Sequence, residues 1–108
     1  MNAKEFIRRM PEVVQKDKVD DTQAVIQYNI SEPMYQVVRD GELTVHEGVA
    51  ENPNLTITMK DDDLVKLFRG KLNPMMAFMT GKIKVAGDMK LAQKLVGFVD
   101  QSKISDLA

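Results

Sequence analysis

The chain has 108 residues, 44% hydrophobic and 29% charged, with fifteen Lys plus Arg against sixteen Asp plus Glu for a net charge of -1. That length fits one hydrophobic core and one domain, residues 1–108, with about 101–108 as a loosely packed tail, and the even charge balance argues against nucleic acid as a partner. Without Cys and with a single His, disulfides, thiolate chemistry and multi-His metal sites are excluded, and no apolar run reaches the roughly 20 residues of a membrane span. The first residues lead into a charged helix and Ile104–Ala108 matches no peroxisomal or ER-retention tail, so a soluble cytoplasmic protein is expected. The eight Met, against four Phe, two Tyr and no Trp, are unusual, because Met suits irregular or changing apolar space.

From Asn2 to about Val14, Ala3, Phe6, Ile7, Met10, Val13 and Val14 recur at helical spacing. Pro11 is expected to split this helix in two. Gln15–Asp21 reads as a charged loop. Gln23–Ile30 is the first predicted strand, with Ala24, Ile26, Tyr28 and Ile30 on one face. Ser31-Glu32-Pro33 turns into a second strand, Met34–Arg39. Asp40-Gly41 is a two-residue hairpin signal, since both residues tolerate positive φ. Glu42–Gly48 follows, with Leu43, Val45 and Val49 inward. Asn52-Pro53-Asn54 turns the chain into Leu55–Lys60, where Leu55, Ile57 and Met59 alternate with Thr56, Thr58 and Lys60.

At Asp61 the period changes to helical. Asp61, Asp62 and Asp63 are expected to cap a helix whose apolar stripe is Leu64, Val65, Leu67 and Phe68, with Gly70 as its stop. Asn73 caps a short second helix that has Pro74 at its first position and ends at Thr80-Gly81. Lys82–Val85 is a fifth strand with Ile83 and Val85 inward, Gly87 a turn, and Asp88 the cap of a last helix carrying Leu91, Ala92, Leu95, Val96, Phe98 and Val99. Gly97 interrupts that helix, permitting either close packing or local loosening. This order reads as α+β. One sheet face is expected under helices and the other wet, the latter carrying Gln27, Asn29, Gln36, Thr44, His46, Thr56, Thr58, Lys82 and Lys84.

Met75–Met79 is the most informative segment. Five consecutive apolar residues cover every side of a short helix, and such a helix is expected to be buried all round. The residues alone leave two uses open: part of the core, or the wall of an apolar cavity completed by neighbouring helices. Three of the five are Met, the type that repacks around different partners.

The run Gly70-Lys71-Leu72-Asn73-Pro74-Met75-Met76-Ala77-Phe78-Met79-Thr80-Gly81-Lys82-Ile83-Lys84-Val85-Ala86-Gly87-Asp88-Met89-Lys90-Leu91-Ala92-Gln93-Lys94-Leu95 closely resembles the sterol carrier protein 2 domain family. So do the Arg39-Asp40-Gly41 hairpin, the Ala50–Asn54 turn and the Thr58-Met59-Lys60 strand end. The resemblance covers Ala3 to about Phe98. It implies a five-stranded mixed β-sheet with helices over one face and an apolar tunnel between them. It also implies non-catalytic binding of fatty acid, acyl-CoA, phospholipid or sterol-like lipid, with no cofactor and no metal. By position, the tunnel maps onto Leu67, Phe68, Leu72, Met75, Met76, Phe78, Met79, Ile83, Leu91, Leu95 and Phe98.

Other chemistry-bearing residues read as structural. His46 shares the wet face with Thr44, and no catalytic partner stands near it in the sequence. Consecutive Asp61–Asp63 diverge on a helix and suit capping more than a cation. Gly81-Lys82-Ile83-Lys84 lacks the phosphate-loop pattern and reads as a solvated edge, or as a contact for an acidic lipid headgroup or a CoA phosphate. Lys4, Arg8 and Arg9 beside Phe6, Ile7 and Met10 form a solvated face over a packed stripe, or a transient membrane contact. The leading expectation is a non-enzymatic lipid carrier. The alternative is a protein–protein interaction or homodimerisation module using the Met-rich helix and the C-terminal helix. An enzyme is least supported, since no nucleophile–base pair is visible.

Overall fold

The computed structural model describes residues 2–19, 21–95 and 98. Helix α1 (Ala3–Arg9) starts where the Asn2 side chain accepts a hydrogen bond from the Glu5 N–H at 2.9 Å, relieving an orphan donor of the first turn. It buries Ala3, Phe6 and Ile7. Pro11 turns the following residues into a short 3₁₀ turn, Met10–Glu12, since its ring cannot continue the α-helical bonding. The expected loop at 15–21 instead holds a one-turn helix, α2 (Lys16–Val19), anchored by the fully buried Val19. A lone apolar residue among charges offers no period to detect.

Five strands follow: β1 (Ala24–Asn29), β2 (Met34–Arg39), β3 (Glu42–Glu47), β4 (Leu55–Met59) and β5 (Ile83–Gly87). They form one sheet in the order β3-β2-β1-β4-β5. The β1–β4 pair is parallel and the others antiparallel, so the sheet is mixed. Asp40 (φ 53) and Gly41 (φ 78) supply the two positive φ values that a tight hairpin requires. Strand β5 runs on to Gly87, which pairs with Leu55 instead of turning the chain.

Because β3 lies at an edge and β4 beyond β1, residues 48–54 must cross the sheet. They do so on the face away from the helices. Gln27 ties the crossover down. Its amide nitrogen donates to the Met34 and Gly48 carbonyls, both at 3.2 Å, and its side-chain oxygen accepts from the Ala50 N–H at 2.8 Å. Gln27 is therefore buried, and the face expected to be wet is covered at its centre. Gln36 corrects the expectation differently. It pairs with Ile26 and Val45, and so lies on the helix-covered face, fully buried. A strand that begins with Met34 inward puts Gln36 inward too, two residues on. Val49, expected inward, is 72% exposed, because the strand ends at Glu47 and alternation stops there.

Three helices complete the covered face: α3 (Asp61–Phe68), α4 (Pro74–Met79) and α5 (Met89–Leu95). Asp61 does not cap α3, whose N-cap Lys60 makes no side-chain capping bond. Asp61 instead accepts from the Ser31 N–H at 2.9 Å and from the Ser31 hydroxyl, joining α3 to the β1–β2 turn. Phe6 of α1 stacks on Phe68 of α3, with centroids 5.8 Å apart. The expectations for Val96, Gly97, Val99 and 101–108 fall outside the described residues.

Candidate functional site: an apolar cavity

Helices α3, α4 and α5 cover β4 and β5 without filling the space beneath, which leaves a cavity of about 430 Å³. Alternation supplies its floor. Ile57 and Met59 of β4 stand beside Val85 and Ile83 of β5, their register partners. Tyr28 of β1 adds one side. Leu64, Leu67 and Phe68 come from α3, Met75 and Phe78 from α4, and Met89, Ala92, Gln93 and Leu95 from α5. No charged side chain is among these lining residues. Met75, Phe78 and Met89 are 69%, 49% and 47% exposed, so the opening lies between α4 and α5.

The polar groups at the cavity have different standing. The Tyr28 hydroxyl donates to Gln36 Oε1 at 3.0 Å, and the Gln36 amide faces Met10 Sδ at 3.0 Å. Burial raises the Tyr28 pKa far above its ordinary value, because desolvation penalises the phenolate. Tyr28 thus presents a neutral ring to the cavity and spends its hydroxyl inside the core. Gln93 is exposed and offers a neutral amide at the α5 side.

Helix α4 is bounded as expected. Asn73 Oδ1 accepts from the Met75 and Met76 N–H groups at 2.9 and 3.3 Å, and Thr80 Oγ1 donates to the Met76 carbonyl at 2.9 Å. Its burial is not as expected. Among its described side chains Ala77 alone is buried, while Met76 and Met79 are 56% and 74% exposed. A helix of six residues at the edge beside β5 has one neighbour below it, and no element of the described chain lies outside it.

Of the residues the resemblance pointed to, Leu67, Phe68, Met75, Phe78, Ile83 and Leu95 come together on the cavity wall. Leu72 packs half-buried against the core, and Leu91 and Phe98 lie within the core, outside the lining. Met76 and Met79 face outward. The sequence reading omitted Tyr28, Ile57, Met59, Leu64, Val85, Met89, Ala92 and Gln93 from the site. Strand alternation had already turned Tyr28, Ile57, Met59 and Val85 inward. Nothing in one dimension showed which inward residues would remain uncovered by another side chain.

The remaining candidates are engaged structurally. His46 Nε2 lies 3.1 Å from Thr44 Oγ1, and its ring stacks on Tyr35 at 5.0 Å, on the exposed side of the sheet. The apolar stripe of α1 is buried, Lys4 and Arg8 pair with Glu47, and Arg9 pairs with Glu12. Helix α1 therefore has no exposed apolar face to lay on a membrane. Among the described residues, no helix is long and apolar enough to cross one.

Residues 3–100 match the model of the SCP-2 sterol transfer family. The chain belongs to that family. It is 34% identical to the hydroxysteroid dehydrogenase-like protein 2 of Bos taurus over 104 residues, covering 92% of this chain and 25% of that protein. It is 47% identical to sterol carrier protein 2 of Rattus norvegicus over 58 residues, which are 54% of this chain and 11% of that protein. The chain thus spans a quarter or less of these curated relatives. The solution structure of palmitated SCP2L2 from Aedes aegypti superposes with a TM-score of 0.66 at 28% identity, covering 90% of this chain and 93% of that one. The mixed sheet and its helices are the architecture of this family, and a member of it has been observed with a fatty acid.

Proposed function

We propose that the chain, as a single domain over residues 1–108, is a non-enzymatic carrier that holds an acyl chain in the cavity beneath α3, α4 and α5. The observation that carries this reading is the cavity itself: about 430 Å³, walled by apolar side chains, and open between α4 and α5. That volume falls in the range of small-molecule sites. Burial of the chain would drive binding, at about 0.8 kcal/mol per methylene. A wall without charges favours the apolar part of a fatty acid, acyl-CoA, phospholipid or sterol-like lipid and leaves any charged headgroup at the mouth, beside Gln93. The palmitated Aedes relative supports an acyl chain among these. The chemistry needs no cofactor, and a cytoplasmic setting suits it.

The test is a ladder of saturated fatty acids titrated into the delipidated protein by calorimetry. Affinity is expected to rise about fourfold per added methylene, following the burial energy, and to level off once the chain outgrows the cavity. Mass analysis of lipid extracted from gently purified protein would name the resident ligand. Absence of saturable binding, or affinity independent of chain length, would overturn the carrier reading. The exposed apolar residues of α4 favour a second reading, an interface with another copy of the chain, for which concentration-dependent mass by light scattering is the check.

A further inference from the structure

We infer that Met75 and Met89, at the opening of the cavity, are an oxidative modification site, where a peroxide converts the two thioethers to sulfoxides and lowers the affinity of the cavity for an apolar chain. The inference deepens the carrier reading and rests on it for the ligand, while the chemistry rests on where the sulfurs lie.

The chain has no Cys, so its thioethers are the only sulfurs that an oxidant meets. The fold sorts them into two groups. Met10, Met34 and Met59 are buried in the core. Met75, Met76, Met79 and Met89 are exposed, and all four stand on α4 and α5, the helices that border the opening. Two of the four also line the cavity, Met75 from α4 and Met89 from α5. The same two residues are thus open to a small oxidant and part of the wall against which a bound chain would lie. Met59 supplies the contrast, since it lines the cavity too but is buried at its floor.

The modification needs only hydrogen peroxide. A sulfur lone pair attacks one peroxide oxygen and the O–O bond breaks. The departing hydroxide takes up the proton of the transferred oxygen and leaves as water. Sulfur is oxidised by two electrons, and the peroxide is reduced by the same two. A flexible apolar side chain becomes a polar one carrying a strong acceptor oxygen. No charged side chain lines this cavity, so an acyl chain seated there would cover the new oxygens with hydrocarbon. Taking a polar group out of water without an equal partner is unfavourable, and the bound state bears that cost. Met76 and Met79 are outside the lining, so their oxidation leaves the wall as it was.

The test is a peroxide series on the delipidated protein, with two probes, a fluorescent fatty acid and the apolar dye Nile red, and with peptide mass analysis at each dose. Oxygen is expected on Met75, Met76, Met79 and Met89 before Met10, Met34 and Met59. At that dose the affinity for both probes should fall about tenfold, with the urea midpoint unchanged. Methionine sulfoxide reductases for the two epimers, with dithiothreitol, should restore it, a reversal that needs no variant. Met75→Leu with Met89→Leu should bind both probes and keep its affinity after peroxide. Met76→Leu with Met79→Leu should lose affinity as the unaltered chain does. Undiminished affinity with sulfoxide on both Met75 and Met89 would overturn the inference. So would an equal loss in the Met75→Leu, Met89→Leu variant, or oxidation of the three buried Met as fast as of the four exposed ones. If the untreated protein takes up Nile red but no fatty acid, the carrier reading falls and the dye series still decides the modification site. Binding of neither probe overturns both.

Discussion

Individual residues decide how tightly this fold closes. Gly87 has φ 110, and a Cβ there would collide with the Asn54 carbonyl oxygen. That carbonyl accepts from the Asp88 N–H at 2.9 Å, while the Asn54 side chain accepts from the Val25 N–H at 2.8 Å. Gly87 thus lets β5 end against the turn that starts β4. Gly87→Ala is expected to cost about 3 kcal/mol or more, from backbone strain plus displacement of that turn, measurable as a lowered urea midpoint with unchanged slope. Tyr28 and Gln36 present a different case, two buried polar groups that satisfy each other. Tyr28→Phe should cost about 1–3 kcal/mol, because it leaves Gln36 Oε1 without its donor in the core. Adding Gln36→Leu should recover much of the loss, since removing both partners leaves nothing unsatisfied. Destabilisation of the double variant by the sum of the single effects would show that the pair is uncoupled.

At the scale of elements, α1 is clamped to β3 by charge as well as by packing. Lys4 and Arg8 both reach Glu47, which sits on the helix-facing end of β3. The hydrogen bond from Lys4 holds the Glu47 carboxyl below the usual carboxylate range, and the same bond raises Lys4 above the usual lysine range. For Glu47, the stabilisation is present above its unfolded pKa and is lost as pH falls through the lowered folded value. For Lys4, it is present below the unfolded pKa and is lost as pH rises through the raised folded value. The clamp therefore holds across neutral pH and weakens at both extremes. Glu47 is exposed and Lys4 partly so, and salt should weaken the pair as well. Amide-exchange protection in α1 is expected to fall in acid and with added salt, and Glu47→Gln should remove both dependences. Helix α4 shows the opposite design. Among its described side chains Ala77 alone is buried, and α4 owes its form to the Asn73 cap, Pro74 and the Thr80 bonds more than to packing.

At the scale of the whole molecule, the cavity is walled jointly by residues of β1, β4 and β5 and of the three helices α3, α4 and α5. Ala92, half-buried on α5, is a place where the wall could be thickened. Ala92→Phe should fill part of the space and shorten the longest fatty acid that gains affinity in the chain-length series, with little change in stability. An unchanged plateau would place the acyl chain elsewhere. The α+β order, the hairpin at Asp40-Gly41, the Asn73 cap and the inward faces of β1, β4 and β5 were all legible in the residues. The wet-face assignment failed at Gln27 and Gln36 for two separate reasons. A crossover loop covers the first, and the second takes the parity set by Met34. Neither is a property of a polar residue considered alone.

Local chemistry explains why so much was readable. Strand alternation, helix caps and positive-φ turns depend on neighbours within a few residues, and those neighbours are adjacent in the chain. The resemblance across Ala3 to Phe98 adds the mixed sheet to what the residues imply. Tertiary structure alone decided which apolar residues would be covered. Leu91 and Phe98 entered the core, Met59 and Val85 became cavity wall, and Met76 and Met79 were left in solvent. These residues have similar hydrophobicity and similar spacing. What separates them is whether another element arrives over each one, and that depends on contacts between distant parts of the chain.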